Sequence, residues 1–286
     1  MAPDGQSLAT PRYLEVVCQE AEARHVDRIW VGEHVVLFDD YASRYPYAAD
    51  GRIPVGGETG LLDPLVTLAF MAAHTTRVRL GTAMCLLPQR NPVYTAKEVA
   101  SLDWLSGGRV DFGVGVGWLR EEFEALGVPW PARGRRTDEY LAVVRALWED
   151  DPSEFHGELF DLPACRQQPK PLQRPVPVHV GGESDAALRR VARRANGWVP
   201  FDQDPEALAR LMGRLDEALE AEGRRRPEIE VTVCPYLKAT SPGQVADYAE
   251  AGATTLAAVL LAFDESQVPA AFDALTPLQE AAGALA

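Results

Sequence analysis

The sequence predicts an α/β fold built on a parallel sheet, and three observations predict it. Short runs rich in valine, isoleucine and leucine alternate with amphipathic helical stretches from residue 10 to the C-terminal end. No Pro/Ser linker interrupts this alternation, so residues 1–286 are expected to form a single domain. One run, S-G-G-R-V-D-F-G-V-G-V-G-W from Ser106 to Trp118, sorts its residues sharply into two faces. Strand–helix–strand order implies right-handed crossovers and a parallel sheet, either open or closed into a barrel. A chain of 286 residues is long enough for an α/β barrel, which takes roughly 250.

The elements follow in order. Thr10 as N-cap, Pro11 at the first helical position and Leu14, Val17, Cys18 and Ala21 at helical spacing predict a helix over 10–25. R-I-W-V-G-E-H-V over 28–35 is a strand, followed by a long polar connection over 36–62. A connection of that length in a compact domain is usually functional. Next come a helix over 63–76, a strand over 78–87, a helix over 91–106 and the glycine-rich strand. The helical region over 120–150 is interrupted near Pro129–Pro131, and its later part carries the apolar stripe Tyr140, Leu141, Val144, Leu147 and Trp148. A surface hairpin is expected over 153–163. Strands at 176–180, 197–201, 229–237 and 254–261 then alternate with helices at 184–195, 205–222, 242–251 and 265–283. The total is seven strands, and residues 1–9 are too polar and too short to supply an eighth.

Composition narrows the class of partner. With 28 basic against 42 acidic residues the net charge is −14, which argues against unaided binding to nucleic acid or an anionic membrane. A small-molecule substrate is the natural partner. Cys18, Cys85, Cys165 and Cys234 lack C-x-x-C spacing and the histidines are dispersed, so no zinc site is expected. The thiol usage, the lack of a long apolar window and an N-terminus without signal-peptide character lead to a cytoplasmic expectation.

In the central run, Val110, Phe112, Val114 and Val116 lie on one side and Asp111, Gly113, Gly115 and Gly117 on the other. A glycine face in a strand marks close approach of a ligand or of another backbone. A dinucleotide fingerprint is rejected, because the third glycine comes one residue early and Trp118 follows it. In the strand over 78–87, Gly81, Ala83 and Cys85 share a small side, and in the strand over 28–35 Gly32 and His34 share one. Together these faces predict a slot lined by little more than backbone, fit for a flat ring. The competing reading is an ordinary buried strand with small residues for packing.

Two further groups stand out. His34 is expected at the C-terminal end of its strand, where barrel active sites are built, although a lone histidine beside apolar residues is often structural. Gly181, Gly182, Glu183 and Ser184 form a strand–glycine–N-cap turn that offers backbone N–H groups to a phosphate. Glu183 is electrostatically unhelpful there. His179 points the same way as Gly181 by alternation.

The motifs D-x-I-W-V-G-E-H at 27–34, L-G-T-A-M-C-L-L-P-Q-R-N-P at 80–92, A-x-x-x-A-S-L-D-x-L-S-G-G-R-V at 96–110, G-V-G-V-G-W at 113–118, E-E-F-E-A-L-G at 121–127, R-x-R-R-T-D-E-Y at 133–140 and P-V-P-V-H-V-G-G at 175–182 occur in one order. That set resembles the luciferase-like monooxygenase superfamily, particularly its branch using the deazaflavin coenzyme F420. The resemblance implies a (β/α)8 TIM-barrel-like fold, usually in a homodimer, with the cofactor at the C-terminal ends of the strands. Family members begin with an extra short strand, so the N-terminal first strand is expected to be missing or truncated here.

The resemblance also implies a non-prolyl cis peptide at the end of the strand over 78–87, with Ala83, Met84 and Cys85 as candidates. It casts Glu33–His34 as the acid–histidine pair, with His34 as proton donor or substrate-orienting group and Glu33 as the weaker member. It assigns Gly81, Ala83, Met84, Cys85, Gly115, Gly117 and Trp118 to the ring of the cofactor. Gly181, Gly182, Glu183 and Ser184 match the loop the family uses for the cofactor phosphate, and His179 is a candidate for lining the pocket. Trp118 replaces the acid found after the glycine run in sugar-phosphate dehydrogenases of this branch, so that activity is not expected. Arg133, Arg135 and Arg136 are candidates for an acidic cofactor tail. Three functions follow as expectations: an F420-dependent oxidoreductase transferring a hydride, an FMN-dependent monooxygenase, or a binding protein that has lost turnover.

Overall fold

The computed structural model describes residues 10–56 and 60–285. The expectation for residues 1–9 therefore lies outside the described residues. The chain groups into two compact units, Met1–Pro177 and Val178–Ala286.

In the first unit, α1 (Pro11–Ala23) starts as expected: the Thr10 side chain accepts from the Tyr13 backbone and Pro11 opens the helix. Then follow β1 (Arg28–Val31), α2 (Pro64–Ala73), β2 (Arg79–Thr82), α3 (Pro92–Ser106) and β3 (Val110–Val114). The strands pair in parallel in the order β1-β2-β3, with Trp30 opposite Gly81 and Gly81 opposite Asp111. Asp63 and Asn91 cap α2 and α3 from their side chains. The helical region over 120–150 divides into α4 (Arg120–Ala125) and α5 (Arg133–Glu149). The expected hairpin is β4 (Ser153–His156) against β5 (Asp161–Cys165). Leu141, Val144, Leu147 and Trp148 of α5 are buried, and the Trp148 ring meets Phe112 of β3 edge-on at 5.6 Å. The apolar face of β3 thus lies against helices, and its glycine face is turned away from them.

The second unit repeats the pattern with β6 (Val178–Gly181), α6 (Asp185–Arg194), β7 (Gly197–Val199), α7 (Pro205–Ala221), β8 (Glu230–Val233), α8 (Pro242–Glu250), β9 (Thr255–Leu256) and α9 (Val268–Gly283). Its four strands are parallel and in sequence order. Val180, Trp198, Val231 and Val233 join Leu188, Val191, Leu208, Met212, Leu215 and Tyr248 in one buried core between sheet and helices.

The strands are shorter than the sequence suggests. The expected strand over 28–35 ends at Val31, because the N–H groups of Val35 and Val36 go to the Glu122 carboxylate instead of to a neighbouring strand. No helix of the described residues is long and apolar enough to cross a membrane.

Candidate active site

The inner face of the first unit is built in rows. At its base the Asp111 carboxylate, almost fully buried, meets Arg28 Nε at 2.6 Å and Arg79 Nη2 at 2.7 Å. In the next row the Trp30 indole lies across Gly81, where a Cβ would overlap the ring. The Arg28 guanidinium stands 5.2 Å from the centroid of that indole. Gly81 is therefore bare to admit Trp30, and the deep slot expected at this position is filled by the protein itself.

A register slip governs the upper rows. Gly81 is opposite Asp111, yet Cys85 bridges Val114, so the β2 side advances by one residue more than the β3 side. An extra residue moves every later side chain to the other face. The Ala83–Met84 peptide, which is cis, lies within this bulge. Two corrections follow. Met84, not Cys85, joins the glycine face: a Cβ on Gly115 would stand 2.9 Å from Met84 Cβ, and one on Gly113 would stand 3.0 Å from Met84 Sδ. Cys85 instead shares the side of Val114 and is fully buried, its thiol pushed up by burial and by the neighbouring Glu33 carboxylate. It is not a surface for a ligand.

Gly117 also departs from expectation. The strand ends at Val114, and Gly117 has φ +75°, with Phe123 standing 2.8 Å from where its Cβ would be. It serves the turn into α4, and its carbonyl accepts from Arg133 Nε at 3.3 Å.

The residues left open at the rim are Gly32, exposed, with Ala83, Met84 and Gly115, each half-buried. A Cβ on Gly32 would stand 3.3 Å from the Ala83 carbonyl oxygen. This ledge at the C-terminal ends of β1, β2 and β3 is poor in side chains and apolar. The interior slot at Gly81 is filled by the Trp30 indole and has no room for a planar ring, whereas the ledge is left open.

Beside the ledge stands His34. Its Nδ1 lies 3.2 Å from Glu122 Oε2, and the Trp118 ring meets it edge-on at 5.7 Å. Glu122 is wholly buried and also accepts from Val35 N at 2.6 Å and from Gln89 Nε2 at 3.0 Å. Burial by itself would raise the Glu122 pKa, but the hydrogen bonds of His34 and Gln89, the His34 charge and the Val35 N–H bring it below the ordinary glutamate value. Glu122 lies within E-E-F-E-A-L-G, a motif that by itself assigns it no role. An acidic residue inside an otherwise amphipathic helical run was the available signal.

Glu33 turns the other way. It accepts from Leu86 N at 2.5 Å and from Arg90 Nε at 2.7 Å, and Arg90 also meets Asp63 Oδ2 at 2.5 Å. The acid of the expected pair is engaged in a buried ion pair, while His34 takes its carboxylate from α4. Trp118 is the hub of an aromatic group with Tyr41 at 5.6 Å and Tyr45 at 5.1 Å, both from the 36–62 connection. Of the three arginines, Arg133 stacks 3.7 Å from the Trp130 centroid, Arg135 pairs with Glu158 and Arg136 donates to the Pro129 carbonyl.

In the second unit His179 is buried, and its ring takes the space that a side chain on Gly197 would need. Gly182 has φ +104° and its carbonyl accepts from Trp198 Nε1 at 2.9 Å. Ser184 caps α6 by accepting from Ala187 N at 3.2 Å, and Glu183 Oε1 accepts from Phe201 N at 2.8 Å. Among the described residues no group of three or more His, Cys, Asp or Glu side chains could hold a metal ion.

Comparison with known proteins accords with this geometry. Residues 1–274 match the family described as luciferase-like monooxygenase. An uncharacterized protein of Mycobacterium tuberculosis (strain ATCC 25618 / H37Rv) is 38% identical over 216 residues, covering 75% of this chain and 74% of that protein. The FMNH2-dependent dimethylsulfone monooxygenase of Pseudomonas putida is 37% identical over 131 residues, 45% of this chain and 36% of that enzyme. Among solved structures, an F420-dependent secondary alcohol dehydrogenase in complex with an F420–acetone adduct superimposes with a TM-score of 0.76 at 17% identity, covering 96% of this chain and 97% of that one. The family match and this structural likeness bear out the fold class expected from the sequence.

Proposed function

The chain belongs to the luciferase-like monooxygenase family, and on that premise we propose that it is an oxidoreductase moving a hydride between coenzyme F420 and a small organic substrate. The observation that carries this reading is the side-chain-poor ledge of Gly32, Ala83, Met84 and Gly115 with His34 beside it. When bound, the deazaflavin supplies the two-electron chemistry. Gly32, Ala83, Met84 and Gly115 support its ring, and Trp118 with Tyr41 and Tyr45 shields the approach from water. His34 exchanges a proton with the substrate at Nε2, the imidazole being the side chain most often used for general acid–base work. In the second unit, Gly181, Gly182 and Ser184 offer a phosphate the N–H groups at the start of α6. The same reading takes Glu33 and Cys85 as supports beneath the ledge.

A second reading is an FMN-dependent monooxygenase, favoured by the likeness to the Pseudomonas putida enzyme named above. The same ledge suits either ring. Titrating the purified protein with each reduced cofactor and following fluorescence separates the two. Tight F420 binding without oxygen uptake supports the first reading, FMN binding with oxygen uptake the second, and binding of neither leaves a protein without redox turnover.

Two further parts of the reading concern setting. A homodimer is supported by the exposed apolar side chains Val66 on α2 and Tyr94 on α3. A cytoplasmic location is supported by four free cysteines.

A further inference from the structure

We propose that Glu122 is the positioning residue of His34: it accepts the Nδ1–H and thereby fixes the imidazole in the tautomer that leaves the Nε2 lone pair available to the substrate. The inference rests on the reading of His34 as the proton-exchanging group.

Glu122 is placed for this by its own partners. Its Oε1 accepts from two backbone groups, Val35 N at 2.6 Å and Val36 N at 3.4 Å. Its Oε2 is left for Gln89 Nε2 at 3.0 Å and His34 Nδ1 at 3.2 Å. Four donors around one wholly buried carboxylate leave it no freedom to turn. An ionised carboxylate only accepts, so Nδ1 must carry the proton whenever the imidazole is neutral. The hydrogen bond made by one ring nitrogen decides what the other can do.

The rest of the setting agrees. Trp118 meets the imidazole edge-on and limits its rotation. The other carboxylates nearby are committed elsewhere: Glu33 to Arg90 and Leu86 N, Glu121 to Ala42 N and Ser43 N. Nε2 has no protein hydrogen-bond partner among the described residues.

The test is the tautomer itself, read by ¹⁵N NMR of the full chain labelled at histidine, without cofactor, with the pH raised until the histidine signals stop moving. The His34 signals are those missing in His34→Asn. The expected spectrum shows Nδ1 as the protonated, pyrrole-type nitrogen and Nε2 as the bare, pyridine-type one. In Glu122→Gln the amide oxygen stays with Val35 N and Val36 N, so the amide nitrogen faces Nδ1 and Gln89 turns over to accept from it. Nδ1 then becomes an acceptor and the tautomer reverses. Turnover in that variant falls on the order of 10²–10⁴-fold with little change in KM.

A wild-type spectrum with the proton on Nε2, or a tautomer unchanged in Glu122→Gln, overturns the proposal. Should the variant not fold, the wild-type spectrum decides alone. Failure of the functional reading is separate: the tautomer would be as expected while neither F420 nor FMN binds.

Discussion

Gly113 and Met84 are shaped to one another: a methyl group on the glycine would overlap the Thr82 carbonyl oxygen and stand 3.0 Å from Met84 Sδ. The obstacle is backbone, which cannot swing aside as a flexible side chain can. Gly113→Ala is therefore expected to destabilise the protein by about 1–3 kcal/mol or more, the range for overpacking a close-packed core. Gly213 is the control, since it sits in the middle of α7 with nothing within 4 Å of where its Cβ would be. Gly213→Ala is expected to stabilise by roughly 0.5–1 kcal/mol. Urea denaturation of the two variants checks both signs, and equal effects would refute the close fit.

Glu33 has a side chain 2% exposed and shares the Arg90 guanidinium with Asp63. Removing Glu33 leaves Arg90 with Asp63 and Glu98 but orphans the buried Leu86 N–H, which is expected to cost about 1–3 kcal/mol. Glu33→Ala should therefore lower the denaturation midpoint well before it changes chemistry. Any F420 or FMN affinity measured below the new midpoint should remain within a few-fold of wild type. A stable Glu33→Ala protein that has lost turnover would return Glu33 to the catalytic role that the sequence suggested.

The order of elements was legible because four helices advertise their starts: Thr10–Pro11, Asp63–Pro64, Asn91–Pro92 and Asp204–Pro205 all behave as N-cap and first turn. Strand ends were not legible, because they depend on which distant group takes the next N–H. Glu122 taking Val35 N is such a case. The glycine face of β3 was read correctly as bare, but its occupant was not, since period two cannot foresee that β2 gains one residue between Gly81 and Cys85. The same blindness hid the partner of His34, which lies 88 residues along the chain.

Acid should weaken one specific junction. Glu22 on α1 accepts from Thr76 N and Arg77 N at 2.8 Å and from Val78 N at 3.0 Å. Burial alone would raise its pKa, but these N–H groups and the Arg77 charge bring it down to about 2. A carboxylate whose folded pKa lies below its unfolded one contributes stability above the unfolded value, and loses it as pH falls through the folded one. The stability gap between wild type and Glu22→Gln is thus expected to be about 1–2 kcal/mol near neutrality, allowing for partial exposure. It should shrink between pH 4.5 and about 2. Thermal melts across that window test it, and a gap independent of pH would show that the charge is irrelevant there.

Two of the fastenings that hold the 36–56 part of the connection lie at Glu121 and Trp118. Glu121 Oε1 accepts from Ala42 N at 2.7 Å and Ser43 N at 3.1 Å, while Trp118 meets Tyr41 and Tyr45 edge-on. Aromatic pairs of this geometry contribute about 0.5–1.5 kcal/mol each beyond the area they bury, and hydrogen bonds to a charged group about 1.5–3 kcal/mol. Either Glu121→Ala or Trp118→Ala should then raise the population of the locally opened connection by roughly 10–100-fold, since about 1.4 kcal/mol corresponds to tenfold. Arg44 and Arg52 lie within it, so native-state trypsin digestion reads the opening directly as faster cleavage at those two sites. The midpoint of global unfolding should move far less, because the helices and strands of the unit do not depend on the connection. Cleavage at wild-type rate in both variants would mean that the segment is fixed by other contacts, and Trp118 would then lose its claim to shield the approach to His34.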